Sequence, residues 1–518
     1  MKIFRTDCLV IGAGLAGSAY ALRAAQHGLA VELLSLAEPL AANSDWAQGG
    51  IIYDTTADPA ALAHDIFEAS DRTANPAAVE HLVREGPRAV EEFLLENLHV
   101  SFDRSAAGAL DLTREGGHSM RRIIHAKDAT GHAILSAVAT QVDATTNISR
   151  RAGWVAIDLL TLSHNSDDLA DRYQPLTCFG AYVLNTTTGE TVAIVAKKTI
   201  LATGGLGQIF LHSTNVPGSV GHGVAMAYRV GARLIDLEYV QFHPTVFAKK
   251  NAPRFLITEA LRGEGAVLRN ARGECFLDPM DPRGSLAPRD VVARAIKQEL
   301  ATSGEPHALL DLSAMTPDFI RERFPTIYAR CHAHGLDITR EAIPVVPAAH
   351  FACGGVHTDL AGRTSVRHLN AIGESGCTGL HGANRLASTS LLECLVSAKF
   401  AALADFAEIA HESFHLPRPR DWASPTRDAD PVLIRQDMLQ IQHTMWNYAG
   451  VVRSPKRLTR ARRILIELRE EIQSFYRGCR LTRELIELRN AIQTALLVVH
   501  AAALNPQSKG SHYIIEEA

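Results

Sequence analysis

Several features that mark common protein classes are missing from this sequence. Its eight cysteines are scattered singly, with no CxxC pair, which argues against a zinc site or a disulfide framework and favours a reducing cytoplasm. No run reaches the roughly 18 apolar residues that a membrane-spanning helix needs, so we expect a soluble protein, held to a membrane at most by others. The net charge of −4 gives no reason to expect nucleic acid or an anionic membrane as a partner.

The composition that remains is that of an ordinary globular protein. Hydrophobic residues make up 47% and charged residues 21% of the chain, which is typical of folded domains. The 518 residues suggest about three domains. The first residues, MKIFRTDCLVIGAGLAG, have the length of a signal peptide. Three regularly spaced glycines interrupt their apolar run, however, and Arg23 and His27 follow without a cleavage region. We therefore expect a strand and a turn there.

The N-terminal region has the pattern of a βαβ unit. Cys8–Ile11 predicts a buried strand, a helical stretch runs to His27, Gly28 is placed to cap it, and Ala30–Leu34 predicts a second strand. Between the first strand and the helix lies the GxGxxG motif Gly12–Gly17. Its first two glycines let the backbone approach a pyrophosphate at the helix N-terminus, and the third lets helix and strand pack closely. This context predicts a dinucleotide site in a doubly wound sheet.

The sequence favours a flavin as that dinucleotide. The second strand ends at Ser35-Leu36, with Glu32 inside the strand and Glu38 beyond it, so no acidic residue stands where a ribose ligand is usual. Two further stretches, NSDWAQGG at 43–50 and ATGG at 202–205, place glycine and small polar residues where backbone could lie along a long cofactor.

The amino-acid composition changes three times along the rest of the chain. A segment rich in Arg, Pro and Gly interrupts the first domain, Gly-rich sequence returns at Phe351–Gly382, and His415–Pro431 has the composition of a linker. Beyond it a helix begins with the Ser454-Pro455 cap pair, and Leu458, Ala461, Leu465, Leu468, Ile472 and Phe475 form a 3-4 stripe typical of a bundle seam. This helical region could pack on the inserted segment or on a partner. The predicted divisions are 1–234 and 346–420 for the nucleotide-binding domain, 235–345 for the insertion and 421–518 for the helical domain.

Several motifs then resemble one superfamily. They are QFHPT at 241–245, TEALRGEG at 258–265, PRDVV at 288–292, His350 within AAHFACGG and Arg385 within HGANRLASTS. Together they resemble the succinate dehydrogenase and fumarate reductase flavoproteins. REGGHS at 114–119, STSLLECLV at 388–396, MWNYAGVVR at 445–453 and ELRNAIQ at 487–493 resemble the L-aspartate oxidases within that superfamily most closely. The match covers nearly the whole chain, with its motifs in family order.

The resemblance implies an α/β fold. A doubly wound, Rossmann-like FAD-binding domain would carry an inserted α+β capping domain and a C-terminal helical bundle. With the residues above, it predicts a set of FAD-binding residues: Gly12, Ala13, Gly14, Leu15, Ala16, Gly17, Ser35, Asn43, Ser44, Asp45, Trp46, Ala47, Gln48, Gly49, Gly50, Ala202, Thr203, Gly204, Gly205, Glu374, Ser390 and Leu391.

The predicted catalytic residues combine cationic, imidazole and carboxylate side chains. Arginine binds carboxylates through a rigid two-pronged fork, so two arginines and two histidines beside a flavin suit a compact dicarboxylate. The resemblance implies hydride transfer from the substrate Cα to flavin N5, with Arg289 either transferring the proton or only orienting a carboxylate, because guanidinium scarcely deprotonates. The set is His243, Thr258, Glu259, Arg289, His350, Arg385 and Glu115.

Glu115 belongs to the stretch LTREGGHSMRR, where it lies with His118 among three arginines. A charge run of this kind is most often a solvated face. Aspartate, unlike succinate, carries an ammonium group that a site built from Arg and His would repel, and one carboxylate would accept it. In L-aspartate oxidases the corresponding glutamate orients the substrate amine. We therefore expect Glu115 to select aspartate, and His118 either to contact a carboxylate or to fix the loop.

The resemblance implies oxidation of L-aspartate to iminoaspartate, with electrons passed to oxygen, giving hydrogen peroxide, or to fumarate. Quinolinate synthase would use the product at the start of NAD synthesis. FAD should be non-covalent, because the superfamily's attachment histidine is replaced at about Asn43. Two positions depart from the superfamily: Leu36 replaces a basic residue, and His222 replaces the aspartate of a GDG motif. The alternatives are a succinate dehydrogenase or fumarate reductase flavoprotein with an iron–sulfur partner, and a non-catalytic FAD-binding protein.

Overall fold

The computed structural model describes residues 1–36, 40–54, 59–250, 252–423 and 425–516. Its first part supplies most of a central sheet and the helices against it. These elements are β1 (Ile3–Ile11), α1 (Leu15–Gln26), β2 (Val31–Ser35), β3 (Ile51–Ile52), α2 (Pro59–Ala69), α3 (Pro76–Val90), β4 (Leu112–Thr113), β5 (Ile123–Ile124), α4 (Thr130–Ala144), β6 (Ile148–Ala152), β7 (Trp154–Thr161), α5 (Leu162–Asn165), β8 (Cys178–Asn185), β9 (Thr191–Leu201), α6 (His222–Arg229) and β10 (Leu234–Ile235).

The remaining elements form the insertion, the return to the first domain and a helical end. The insertion contains β11 (Val240–Phe247), α7 (Ala260–Gly263), β12 (Val267–Arg269), α8 (Arg289–Ser303), β13 (Ala308–Asp311), α9 (Pro317–Arg323), α10 (Pro325–Ala333) and β14 (Ile343–Ala352). The chain continues through β15 (Gly355–His357), β16 (Leu369–Ala371), β17 (Gly376–Cys377) and α11 (Thr389–His411), and ends with α12 (Pro431–Tyr448), α13 (Pro455–Gly478) and α14 (Arg483–Leu504).

The central sheet has the strand order β6-β2-β1-β9-β8-β7, with β16 also paired to β9. The pairings among β6, β2, β1, β9 and β16 are parallel, whereas β8 pairs antiparallel with both β9 and β7. One face packs against α1 and its neighbouring helices, and α6 lies on the other. The carboxyl ends of β1 and β2 therefore meet at the edge where an open α/β sheet binds its ligand, and the expected α/β fold is confirmed.

The predicted βαβ unit is present, with adjusted limits. β1 begins at Ile3, five residues before the predicted strand. α1 ends at Gln26, and Gly28 follows in the left-handed region at φ +81. Because a residue without a Cβ takes this conformation at little cost, the predicted glycine cap is confirmed.

The insertion is built on an antiparallel sheet of order β11-β14-β13-β12, with α8, α9 and α10 around its own core. β11 and β14 form the two-stranded connection to the first domain. The division predicted at 345 falls inside β14. The four domain limits remain predictions.

The three C-terminal helices pack on one another and on both other parts. Ser454 accepts the N–H of Arg457 and so caps α13. The predicted stripe is buried except for Phe475, which is half-buried, and Tyr476 takes the inner place at that end. α14 packs against α6, and Lys297 of the insertion lies over the Trp446 ring of α12. The bundle therefore contacts the first domain as well as the insertion. In the predicted linker, the described residues before α12 begins at Pro431 form no helix or strand, and Ser424 lies outside the described residues.

Candidate active site

A cavity runs along the first glycine-rich turn. Gly12 has φ +116, and a Cβ there would lie 2.1 Å from the carbonyl oxygen of Ala202. Gly14, at the N-terminus of α1, has no side chain to cap the helix, and the N–H of Leu15 donates to Ser44 Oγ at 3.2 Å, so the helix N-terminus lies at the wall of this cavity. Free amides at a helix N-terminus bind a pyrophosphate, and this cavity therefore fits a dinucleotide such as FAD.

Most of the predicted FAD-binding residues line this first cavity. Asn43 fixes one side, because its Oδ1 accepts the N–H of Val216 at 2.8 Å and its Nδ2 donates to Ser219 Oγ at 3.3 Å. The predicted residues lining this cavity are Gly12, Ala13, Gly14, Leu15, Ala16, Ser35, Asn43, Ser44, Trp46, Ala202, Thr203, Gly204 and Glu374. Ala47, Gln48, Gly49, Gly50, Ser390 and Leu391 line the adjoining cavity described next.

Three predicted cofactor residues line neither cavity. A Cβ at Gly17 would meet the Gly12 carbonyl oxygen at 1.9 Å, so Gly17 is needed for close packing of α1 on β1. Asp45 Oδ1 faces His132 Nδ1 at 2.9 Å. Gly205 lies against the Glu374 carboxylate. Of the two acidic residues near β2, Glu32 accepts a hydrogen bond from Arg151, and Glu38 lies outside the described residues.

A second cavity is continuous with the first, since both are lined by Asn43, Ser44, Trp46, Glu374 and Cys394. All seven predicted catalytic residues line it. They come from both domains. The insertion supplies His243 from β11, Thr258 and Glu259 from the segment before α7, Arg289 from the start of α8 and His350 from β14. The first domain supplies Glu115 from the β4–β5 loop and Arg385 from the turn before α11.

Arg385 is a buried guanidinium that forms no ion pair with any described carboxylate. It donates to Ser390 Oγ at 3.0 Å and to His350 Nε2 at 3.2 Å, and it lies over the Phe351 ring. Burial, with nearby Arg289, lowers its pKa to about 10. A charged buried group without a counter-ion is costly, so this position is suited to bind an anion.

The two histidines of the cavity differ in their hydrogen bonds: within the described residues, His243 has one ring nitrogen without a partner, whereas both ring nitrogens of His350 have one. His243 Nδ1 accepts the N–H of Thr245 at 3.3 Å, which places the proton of the neutral ring on Nε2, and that buried nitrogen has no partner among the described residues. His350 Nε2 accepts from Arg385, so its proton lies on Nδ1, facing Thr214 Oγ1 at 2.8 Å. Burial beside arginines holds the pKa of both rings well below the usual value. His243 therefore presents a free N–H donor to the cavity.

Arg289 is held by Glu259. Its Nε donates to Glu259 Oε2 at 2.5 Å, and Arg262 Nη2 lies 3.1 Å from the other carboxylate oxygen. Despite burial, these arginines lower the pKa of Glu259 to about 2. Glu259 is thus already neutralised by two cations, and its contact is with Arg289. Thr258 contributes a cavity wall and accepts the N–H of Ala260 at 3.4 Å.

Glu115 lines the cavity and has no cationic partner among the described residues; Glu374, the other such carboxylate, accepts the N–H of Ala352 at 2.9 Å, and burial raises its pKa to about 7. Ser388 Oγ donates to its Oε2 at 2.5 Å. A Cβ at Gly49 would lie 2.0 Å from its Oε1, so only glycine leaves room for it. Burial raises the pKa of Glu115, opposed by Arg289 and by the Ser388 hydrogen bond. One unpaired carboxylate and one unpaired guanidinium therefore face the same space.

The loop that carries Glu115 combines solvated and buried charges. Arg114 and Arg121 are exposed, as a solvated charge run would be. Arg122 is fully buried, donates to Asp65 at 2.9 Å and lies 3.3 Å from Asp54. His118 Nε2 hydrogen-bonds the Ala387 carbonyl at 3.0 Å and lies outside the residues lining the cavity. This hydrogen bond connects the loop to the turn before α11.

Sequence reasoning passed over two residues that organise this site. Gln241 Oε1 accepts from both Arg289 and Arg385, at 3.3 and 3.4 Å, and so links the two guanidinium groups. Ser388 adopts φ +58, a left-handed conformation that is uncommon for serine. Both lie inside motifs that resembled the superfamily, which was the available signal, but nothing in a single sequence shows a shared acceptor or a strained φ.

Comparisons with known proteins agree with this geometry. A family model described as FAD binding domain matches residues 7–391, and one described as fumarate reductase flavoprotein C-term matches residues 438–516. L-aspartate oxidase 1 of Ralstonia nicotianae is 43% identical, covering 98% of this chain and 94% of that protein. L-aspartate oxidase of Pseudomonas aeruginosa is 42% identical, covering 99% and 96%.

Solved structures show the same architecture. A quinol–fumarate reductase with menaquinol molecules has a TM-score of 0.88 at 27% identity, covering 100% of this chain and 93% of that one. Mycobacterium smegmatis Sdh1 in complex with UQ1 has a TM-score of 0.84 at 27% identity, covering 99% and 89%. The fold and the two joined cavities define an FAD-dependent flavoprotein of the fumarate reductase class. Within that class, the chain belongs to the L-aspartate oxidase family.

Proposed function

We propose that this flavoprotein oxidises L-aspartate to iminoaspartate. The observation that carries the proposal is a pair of buried charges in one cavity, Arg385 and Glu115, neither of which forms a salt bridge within the described residues. A dicarboxylate without an amine would satisfy the first and leave the second alone. An amino dicarboxylate satisfies both.

The anionic ends of the substrate have donors of two kinds. Arg385 offers a guanidinium whose Nε is buried and unpartnered within the described residues, and His243 offers its Nε2–H. Arg289 adds a guanidinium whose direction is set by Glu259 on one side and Gln241 on the other. Charge-assisted hydrogen bonds of this kind are stronger than neutral ones. The substrate is thus held with its Cα at a fixed place in the cavity.

Glu115 binds the amine of the substrate. Its carboxylate, oriented by Ser388, accepts hydrogen bonds from the substrate nitrogen and holds the Cα–N bond in one direction. The substrate ammonium would first give one proton to Glu115 or to solvent, so that the nitrogen lone pair can form the C=N bond as Cα gives a hydride to FAD bound in the adjoining cavity. Because the nitrogen lone pair drives this step, Arg289 orients a carboxylate and need not lose its own proton.

The electrons then leave to a second acceptor. We infer that oxygen, giving hydrogen peroxide, or fumarate takes them, and that iminoaspartate passes to quinolinate synthase in NAD synthesis. FAD is held without a covalent bond, since the position of the attachment histidine is Asn43, whose amide is engaged by Val216 and Ser219. All eight cysteines are free thiols, which supports a reducing cytoplasm as the location. No helix in the described part of the chain is long and apolar enough to cross a membrane.

The proposal is tested with an oxygen electrode and a peroxide assay, with added FAD. L-aspartate, D-aspartate and succinate are compared at equal concentration. Oxygen uptake and peroxide with L-aspartate alone are expected. Turnover of succinate with an artificial dye, and none of L-aspartate, would instead assign the chain to succinate dehydrogenase-type chemistry. Bound FAD with no turnover of any substrate would favour a non-catalytic FAD-binding protein.

A further inference from the structure

After α14 the chain turns back towards the first domain, and we call residues 508–515 the strap. The strap is anchored on the loop before α13. The N–H of Arg453 donates to the Tyr513 carbonyl, and the N–H of Ile515 donates to the Arg453 carbonyl, both at 2.9 Å. His512 is fully buried, and its Nδ1 accepts a hydrogen bond from Arg453 Nη1 at 2.7 Å. These hydrogen bonds hold the strap in one position on the helical bundle.

Ser511 of the strap hydrogen-bonds the turn that carries Arg385. Its N–H and its hydroxyl both donate to the Ala383 carbonyl, at 2.9 and 2.7 Å. Gly510 packs directly against the same residue, because a Cβ there would lie 2.6 Å from the Ala383 carbonyl oxygen. Ser511 is only 7% exposed, so water has little access to these hydrogen bonds. The strap therefore fixes the backbone two positions before Arg385.

The same turn is held from another side by Gln241. Its Nε2 donates to Asn384 Oδ1 at 2.7 Å and to the Arg385 carbonyl at 2.8 Å, and Asn384 Nδ2 donates to the Ala69 carbonyl at 3.1 Å. The guanidinium of Arg385 hydrogen-bonds only neutral side chains within the described residues. Because no described carboxylate holds that guanidinium, its position depends on the backbone of the turn.

The strap also contacts α8, the helix of the insertion that begins with Arg289. Arg294 of this helix lies over the Tyr513 ring, 4.9 Å from its centroid, and donates to the Gly510 carbonyl at 3.4 Å. One short segment therefore touches both the helix that carries Arg289 and the turn that carries Arg385. These are two of the arginines that line the substrate cavity.

We propose that the strap positions the substrate-binding arginines: Ser511 fixes the turn of Arg385, and Tyr513 holds α8 through Arg294. Ser511 and Tyr513 are positioning residues, because they act through the arginines and line neither cavity. The strap sets the distance between two arginines of different domains before a dicarboxylate binds, and groups that are ordered in advance bind more tightly. The inference rests on the proposed binding of a dicarboxylate and is independent of the substrate amine.

The test measures the Kd of succinate, from flavin absorbance, and KM for L-aspartate in the FAD-loaded, full-length protein. Ser511→Ala loses the hydroxyl bond to Ala383, and the loss of one such hydrogen bond should raise both constants about fivefold. The factor should be the same for both ligands, because both carry the carboxylates that the arginines bind, whereas Glu115→Gln affects aspartate alone. Ser474→Ala makes the same chemical change at an exposed position and should alter neither constant. Wild-type protein that binds succinate without oxidising L-aspartate would contradict the proposed function and leave this test intact.

Tyr513 gives a second pair of variants at a partly exposed ring. Tyr513→Phe keeps the ring beneath Arg294 and should match wild type. Tyr513→Ala loses the cation–π contact and should raise both constants about threefold. If Ser511→Ala does not fold, this pair decides the question.

Hydrogen exchange of the substrate-free protein supplies a readout that needs no ligand, so it decides the question even where wild type binds no succinate. Exchange should become faster in residues 381–388 of Ser511→Ala and in residues 289–296 of Tyr513→Ala, and stay unchanged in the central sheet. Unchanged exchange in both variants would overturn the proposal, and so would an unchanged Kd for succinate. Faster exchange throughout the chain, with a lower melting temperature, would show a structural role only and would also overturn it.

Discussion

Ser388 donates a hydrogen bond to Glu115 across 2.5 Å, and it does so from a left-handed backbone conformation at φ +58. The serine precedes α11, and the glutamate lies on the β4–β5 loop, 273 positions earlier in the chain. Strained residues of this kind persist where the surrounding structure holds them, and they cluster at functional sites. The pair fixes a buried carboxylate that has no cationic partner among the described residues.

Glu115→Gln should lower kcat/KM for L-aspartate about a hundredfold to several-thousandfold. Removing one partner of a buried ion pair costs about 3–5 kcal/mol, and each ~1.4 kcal/mol is a factor of ten. Binding of succinate or fumarate, followed by the change in flavin absorbance, should stay near wild type because neither has an amine. Glu264→Gln makes the same chemical change at an exposed position and should alter neither. Equal losses for aspartate and succinate would contradict the role of Glu115.

Ser388→Ala should move the acidic limb of kcat/KM for L-aspartate to higher pH. Glu115 must be ionised to hold the amine, so activity falls as the pH drops through its pKa. Burial already raises that pKa, and the Ser388 hydrogen bond opposes the rise. Its loss therefore raises the pKa further.

Ser388→Gly is the matched control, because glycine loses the same hydroxyl yet adopts a positive φ readily. Both variants should show the pH shift, whereas only Ser388→Ala keeps the backbone strain. A shift in one variant alone would show that the backbone, and not the hydroxyl, controls Glu115.

Glu259→Gln should lower the free energy of unfolding by several kcal/mol at neutral pH. It leaves Arg289 and Arg262 buried without their shared carboxylate, and losing one partner of a buried pair is strongly destabilising. The folded pKa of about 2 lies below the unfolded value of about 4.3. This stabilisation is therefore present above pH ~4.3 and is lost as the pH falls towards 2.

Urea unfolding at several pH values checks this account. The difference between wild type and Glu259→Gln should narrow as the pH falls from 5 towards 2. Adding Arg262→Gln to Glu259→Gln should recover part of the stability, because it removes one unpaired cation. A difference that stays constant with pH would mean that the ionised form of Glu259 contributes no stability.

Asp65→Asn should raise KM for L-aspartate with a smaller effect on kcat. Asp65 accepts hydrogen bonds from buried Arg122 and from the N–H and hydroxyl of Ser119, and it thereby anchors the loop that carries Glu115. Weakening this anchor lets the carboxylate leave its position before substrate binds. Steady-state kinetics separate the two constants, and Glu68→Gln on the exposed face of α2 is the control. A fall in kcat with KM unchanged would argue against an anchoring role.

Most residues of the candidate site lie in motifs that can be read from the sequence. The βαβ unit could be predicted because GxGxxG, the flanking strands and the Gly28 cap are local. The residues His243, Arg289, His350 and Arg385 lie in motifs, and the structure brings them to one cavity. No local sequence pattern encodes the ion pairs and hydrogen bonds between residues that are far apart in the chain.

Glu259 shows this limit: the sequence places it among the candidate catalytic groups but does not show its ion pairs with Arg289 and Arg262. Arg122 shows it as well. In the sequence it is one of three arginines in a charge run, and only the fold separates it from Arg114 and Arg121 by burying it between Asp54 and Asp65. The hydrogen bond from Asn490 to His222 joins residues 268 positions apart.

The most direct test of the central claim, that this cavity is built for an amino dicarboxylate, is an anaerobic titration of the FAD-loaded protein followed by flavin absorbance. L-aspartate should bleach the oxidised flavin band without oxygen, while succinate at the same concentration should leave it oxidised. Bleaching by succinate, with no response to L-aspartate, would contradict the account.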